Sequence, residues 1–198
     1  MSTRMLGGTD LRFAQVEFQQ FWEFWKSMRH KKVVPSKKDF RPEKIPHLIK
    51  YMTLCSWDEG GRLRLRVMAR NMAEKTGIWD PGEDLLKKMH PDVRNGFGKH
   101  LKSIFNHPAG LIHISQIRAL CGQIFQFQHL ILPLSCEPQE DNFMLVCSLA
   151  HEGAQAEYDG DHPDHIMLGV KDIRLLDIGA GLPHITFPKN LSCKNTSL

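Results

Sequence analysis

"GLIHISQIRAL", Gly110 to Leu120, runs through Cys121-Gly122 into "QIFQFQHLILPL", Gln123 to Leu134. Both stretches are dense in β-branched, aromatic and leucine side chains, so each reads as a strand, and the Cys121-Gly122 step reads as the tight turn of an antiparallel hairpin. A third run, "NFMLVCSLAH" from Asn142 to His151, follows the polar loop "SCEPQED" and completes a meander. Upstream, "IPHLIKYMTLCSWDEGG" is an apolar run that ends in a turn at Glu59-Gly60-Gly61. "RLRLRVMA" then alternates strictly, with Leu63, Leu65, Val67 and Ala69 on one face and Arg62, Arg64 and Arg66 on the other. Two such runs make a second hairpin with one buried side.

Between the hairpins the pattern changes. Short helical pieces are broken at Gly77, Pro81-Gly82 and Pro91, and a longer helix is expected from about Pro91 to Asn106. Pro91 suits its first turn, Pro108 ends it, and Gly96 and Gly98 weaken it locally. The order is strand, strand, short helices, longer helix, three strands. That is an α+β arrangement, a five-stranded antiparallel sheet with helices on one face.

Before the sheet, "FAQVEFQQFWEFWKSMR" places Phe13, Val16, Phe18, Phe21, Trp22, Phe24, Trp25 and Met28 at spacings of three, four and seven. This predicts an amphipathic helix with an aromatic face, which must pack on its own domain or on a partner's copy of the same helix. Phe18, Phe21, Trp22 and Trp25 are therefore the candidate interface residues of a homodimer. "RHKKVVPSKKDFRPEK", Arg29 to Lys44, is strongly basic and reads as a solvated linker, with an acidic or phosphate-bearing protein partner as the other reading. The chain divides into residues 1–44 (aromatic helix and basic linker), 45–151 (core) and 152–198 (acidic loop and C-terminal extension).

Composition narrows the class. With 198 residues, 41% hydrophobic and 24% charged, the chain suits one globular domain with extensions. No apolar run approaches the roughly 20 residues that span a bilayer, and no signal segment opens the chain, so a cytoplasmic protein is expected. Cys55, Cys121, Cys136, Cys147 and Cys193 stand singly, as reduced thiols do. The formal charge of +4 is modest, and a nucleic-acid partner is not expected.

The ordered stretches "FWEFWKSMR" (Phe21 to Arg29), "DFRPEKIPHLI" (Asp39 to Ile49), "LRLRVMAR" (Leu63 to Arg70), "GIWDPG" (Gly77 to Gly82) and "LILPLS" (Leu130 to Ser135) carry a resemblance. Over about residues 18 to 150 the chain resembles a bacterial family of short single-domain PAS proteins. Two positions depart: Ala69-Arg70 stands where the family has Gly-Thr, and Pro81 where it favours Thr. The resemblance implies a PAS fold and a sensory or signal-transduction module, with no catalytic residues to carry over and a signalling protein as partner. It also implies a place for a small hydrophobic ligand between the sheet and the helices.

For that place, Phe125, Phe127, His129 and Ile131 share one face of the fourth strand, and Phe143, Leu145 and Cys147 one face of the fifth. Met52, Leu54, Met68, Met72, Trp79, Phe97 and Leu101 are expected to close the cavity; a filled core is the competing reading. Haem would need a histidine, with His100 or His129 as candidates. A reactive flavin-binding cysteine motif has no counterpart here. "YDGDHPDH", residues 158–165, holds Asp159, Asp161, His162, Asp164 and His165 but fits no standard metal spacing, so no metal site is expected. No G-x-S-x-G or G-x-x-x-x-G-K-[ST] motif is present. "RLLDIGAGLP", Arg174 to Pro183, looks like a nucleotide loop, yet only fifteen residues follow it, too few for the helix such a loop must feed. It is expected to pack back as an added strand or short helix with a glycine turn.

Overall fold

A computed structural model describes residues 11–78, 81–136, 141–151, 156–157, 166–185 and 190–192, with the side chains of Lys99, 156–157 and 190–192 left aside. In chain order the elements are α1 (Val16–Ser27), β1 (Met52–Trp57), β2 (Leu63–Val67), α2 (Arg70–Thr76) and α3 (Pro91–Val93). A π turn at Arg94–Gly98 leads into α4 (Lys99–Asn106), followed by β3 (Gly110–Arg118), β4 (Gln123–Leu134) and β5 (Asn142–Ala150). β6 (Ala156–Glu157), β7 (Met167–Leu176) and β8 (Asn190–Ser192) come last.

The strands form one sheet in the order β2-β1-β5-β4-β3-β7-β8, with β6 paired to β4. Every strand pairing is antiparallel. Its first five strands are the expected α+β core; β7 and β8 extend the sheet beyond β3. The expected packing-back of "RLLDIGAGLP" thus takes the form of a strand, since Arg174, Leu175 and Leu176 pair with Ile112, Leu111 and Gly110. The glycines that imitate a phosphate loop fold around a carboxylate from their own chain. Asp177 Oδ1 accepts the N–H of Gly179 at 2.8 Å and of Gly181 at 3.0 Å. Both glycines have positive φ, 106° and 79°, a conformation that suits glycine.

Both faces of the sheet are covered. α2, α3, the π turn and α4 lie over the inner face, around a core that includes Cys55, Leu65, Met89, Phe97, Leu111 and Val146. α1 lies on the outer face. Phe18, Phe21, Trp22 and Trp25, spaced at three, four and seven, are each 0% exposed and pack with Leu48, Leu130, Leu132 and Leu145. Trp22 and Trp25 stack with centroids 5.4 Å apart, and Trp25 Nε1 donates to the Pro133 carbonyl at 2.9 Å. This answers which surface the aromatic face meets: its own sheet. The four side chains are therefore unavailable as a two-fold interface while α1 stays docked, which corrects that expectation.

The basic stretch after α1 is also tied down. Ser135 N donates to Pro35 O at 2.9 Å, Lys37 N donates to Ser135 O at 2.9 Å, and the Lys37 ammonium lies 3.9 Å from the Phe143 ring centroid. Residues 11–44 thus share a core with the sheet, through Val34 and Phe40 as well as α1. In the first hairpin the register slips between Leu54 and Cys55, which turns Val67 out to 50% exposure while Leu63 and Leu65 stay buried. The expected longer helix exists with a π turn set into it. Gly98 closes that turn against Leu86, whose Cδ2 lies 2.9 Å from where a β-carbon would stand.

Candidate functional site

Between the inner face and the helices lies a cavity of about 130 Å³. β1 contributes Thr53 and Cys55, β2 Leu63 and Leu65, and β5 Met144, Val146 and Ser148. β3 and β4 contribute His113, Ile117, His129 and Ile131. The helical side supplies Met68, Met72, Phe97 and Leu101, and the loop between α2 and α3 supplies Ile78, Leu85 and Met89. Ile166 and Met167, at the start of β7, complete the wall. Among the described residues of the wall, the charged ones are Glu83 and Lys88, partly exposed and 3.9 Å apart.

Of the residues expected here, Met68, Met72, Phe97, Leu101 and His129 line the cavity. Phe127 and Phe125 sit on the same side, Phe127 buried and Phe125 partly so, but beyond the cavity wall. Met52, Leu54, Leu145 and Cys147 belong to the opposite face, under α1. That correction has one cause. Met52 pairs with Cys147 and Leu54 with Leu145 across the β1–β5 ladder, so the four form one outward row, and their neighbours Thr53, Cys55, Met144 and Val146 point inward. Trp79 and the stretch 158–165 lie outside the described residues.

Sequence reasoning missed His113, Ser115 and Ser148. The register places His113 opposite His129, and His129 opposite Ser148, in a row across β3, β4 and β5. His129 Nε2 lies 2.6 Å from Ser115 Oγ and its Nδ1 lies 2.9 Å from Ser148 Oγ. Its ring stacks on that of His113 with centroids 4.7 Å apart, and the Phe97 ring centroid also lies 4.7 Å from that of His113. His113 is 2% exposed, and its Nδ1 has no hydrogen-bond partner among the described residues. The polar letters His, Ser and His in otherwise apolar runs were the available signal; only the register brings them together.

Burial sets the charge of this row. It lowers the His129 pKa to about 3, and it lowers that of His113 well below the usual imidazole value, with His129 adding to the effect. Both rings are therefore neutral near pH 7. Ser115, His129 and Ser148 form a serine–imidazole–serine chain, but an imidazole that resists a proton so strongly is a poor general base. Burial likewise pushes the Cys55 thiol up to about 12, which keeps it protonated and unreactive.

Neither haem candidate is placed to hold an iron. Both ring nitrogens of His129 are engaged by serine hydroxyls, and His100, whose Nδ1 meets the Gly96 carbonyl, is not part of the cavity wall. Pockets for cofactors and drug-sized ligands run to roughly 300–1,000 Å³, well above this one. Among the described residues, no group of three or more His, Cys, Asp or Glu is arranged to hold a metal ion, and no helix is long and apolar enough to cross a membrane.

A family model described as PAS domain matches residues 14–148. The match spans α1 through most of β5 and stops short of β7. Searches of curated proteins and of solved structures gave no match.

Proposed function

Since the chain belongs to the PAS domain family, whose members are sensory and signalling modules, we propose that it senses a small ligand in the inner cavity and relays occupancy by protein contact, without catalysis. One observation carries this reading: the cavity wall includes residues of the C-terminal extension, beyond the family match. The Ile166 and Met167 N–H groups donate to the Lys88 carbonyl at 2.7 and 3.1 Å, and the His90 N–H donates back to Met167 O at 2.9 Å. Arg118 N, at the end of β3, donates to Ile166 O at 2.8 Å. A molecule seated against Met89 and Met167 presses on this clamp directly, and the clamp holds the start of β7.

Signal output in this reading is a change in how firmly the C-terminal strand is held, presented to a signalling partner in the cytoplasm. Self-association is not required for it. A homodimer, if formed with α1 docked, uses a surface other than the four buried rings.

The test uses toluene as an apolar probe and amide hydrogen exchange as the readout. Saturating toluene is expected to slow exchange at His90, Ile166 and Met167, and Val146→Phe, which places a ring in the cavity floor, is expected to abolish the effect. Toluene binding with unchanged exchange at these amides would refute the relay. Failure of toluene to bind at all would refute the ligand cavity.

A further inference from the structure

The wall of the inner cavity is apolar almost throughout. Met68, Met72, Met89, Met144 and Met167 face the space, with Phe97 beside them. Methionine side chains are unbranched and polarizable, so they adapt to the outline of an occupant and select for size and polarity more than for shape. At about 130 Å³ the space is close to the ~150 Å³ apolar cavity known to accept benzene, so one ring with a methyl-sized substituent fills it.

The polar side chains in this wall are already committed within the protein. Thr53 Oγ1 accepts the Ala69 N–H at 3.0 Å, Ser148 Oγ lies 2.9 Å from His129 Nδ1, and His129 Nε2 lies 2.6 Å from Ser115 Oγ. His113 Nδ1 is sealed so closely that it offers an occupant no surface to meet. A hydroxyl or amide drawn into the space therefore leaves its water partners and gains none in return. Charge is disfavoured further. Both histidines are neutral near pH 7, and Lys88 sits partly in solvent beside Glu83, so a carboxylate loses its water without gaining a buried cation. A hydrocarbon incurs neither cost, and it gains by leaving water.

Resting on the ligand-cavity reading above, we propose that the occupant is a compact hydrocarbon of about the size of benzene or toluene, bearing neither charge nor a hydrogen-bonding group. The pocket distinguishes molecules by what they have to leave in water. Phenol and toluene differ by a hydroxyl in place of a methyl group, which keeps the size and adds a donor and an acceptor that the wall does not meet.

The experiment titrates toluene, phenol and benzoate into the full chain by calorimetry at a pH of about 7.5, where both histidines are neutral. Toluene is expected to bind, phenol to bind at least about tenfold more weakly, and benzoate not to bind. Phenol or benzoate binding as tightly as toluene would overturn the ligand class and leave the cavity reading standing, whereas binding by none of the three refutes the cavity reading itself. Where toluene sits is read from the methionine methyl resonances of the same protein. Those of Met68, Met72, Met89, Met144 and Met167 are expected to shift, while those of Met28 and Met52, which pack under α1 on the opposite face, stay in place. Shifts confined to Met28 and Met52 would put the hydrocarbon elsewhere and overturn the proposal.

Discussion

Trp25→Ala separates a helix that belongs to its own sheet from one that belongs to a partner. Trp25 is 0% exposed, stacks on Trp22 at 5.4 Å and donates its indole N–H to Pro133 O at 2.9 Å. Truncating a buried tryptophan costs about 3–5 kcal/mol, and the orphaned Pro133 carbonyl adds about 1 kcal/mol. A loss of about 4–6 kcal/mol is a large share of the ~5–15 kcal/mol that a domain has in all. With a urea slope of about 2 kcal/mol per M, the unfolding midpoint should fall by about 2–3 M. Trp25→Phe keeps most of the packing and loses the hydrogen bond, so its midpoint should fall by only about 1 M. Val16→Ser, at a position 61% exposed on the same helix, should change stability by less than about 0.5 kcal/mol. The assay is urea unfolding followed by circular dichroism, with light scattering on the same samples. If Trp25→Ala keeps its midpoint within about 0.5 M while a dimer becomes a monomer, the ring lies between subunits and the intrachain packing of α1 is wrong.

Two further predictions concern protons and the C-terminal turn. Because burial lowers the folded-state pKa of His129 to about 3, the unfolded chain takes up a proton below pH 6.5 that the folded chain refuses. Its contribution to stability is thus complete above about pH 6.5, is lost progressively as the pH falls, and stops changing below about 3. Urea midpoints at pH 8 and 5.5 should show a loss of about 1.4 kcal/mol from His129, with His113 acting in the same direction; His129→Gln should remove its share, and equal midpoints would contradict the buried neutral pair. Asp177→Ala should cost about 1 kcal/mol by removing the acceptor for Gly179 and Gly181, Asp177→Asn should retain most of that, and a nucleotide should not raise the melting temperature. Stabilisation by a nucleotide would restore the phosphate-loop reading of "RLLDIGAGLP".

The strand order and the aromatic helix were legible because each has a period. Phe18, Phe21, Trp22 and Trp25 repeat at helical spacing, and Leu63 and Leu65 alternate with arginines. The face assignment on β5 was not legible, for a physical reason. From Phe143 to Ser148 every residue is buried, because α1 covers one side of the sheet and the helices the other. A strand buried on both faces reads as a continuous apolar run, with no exposed residue to mark its parity. Assigning helices to one face made Leu145 and Cys147 look inward; Met52 and Leu54, which pair with them, share their outward row. His113 was missed for a related reason: its meaning depends on standing opposite His129, and pairing register is a long-range property that neither strand encodes alone.

The C-terminal extension changes what the fold can do. A cavity between a sheet and short helices is closed at the β3 edge only if something continues the sheet there, and β7 does so through its pairing with β3. The bulges in that pairing, with Asp172 at φ 52°, let β7 hold Val170, Leu175 and Leu176 buried although the three do not alternate. The same strand begins at the cavity, with Ile166 and Met167 in its wall, and continues into the Asp177–Gly181 turn, where the Arg29 guanidinium lies close to Gly179. Arg29 lies just past the end of α1, so the strand that lines the cavity at one end meets the N-terminal helix region at the other. In the proposed relay, coupling between cavity and surface needs no chain of intermediaries, because one strand lines the cavity, is held by Lys88 and His90, and runs on to the turn beside Arg29.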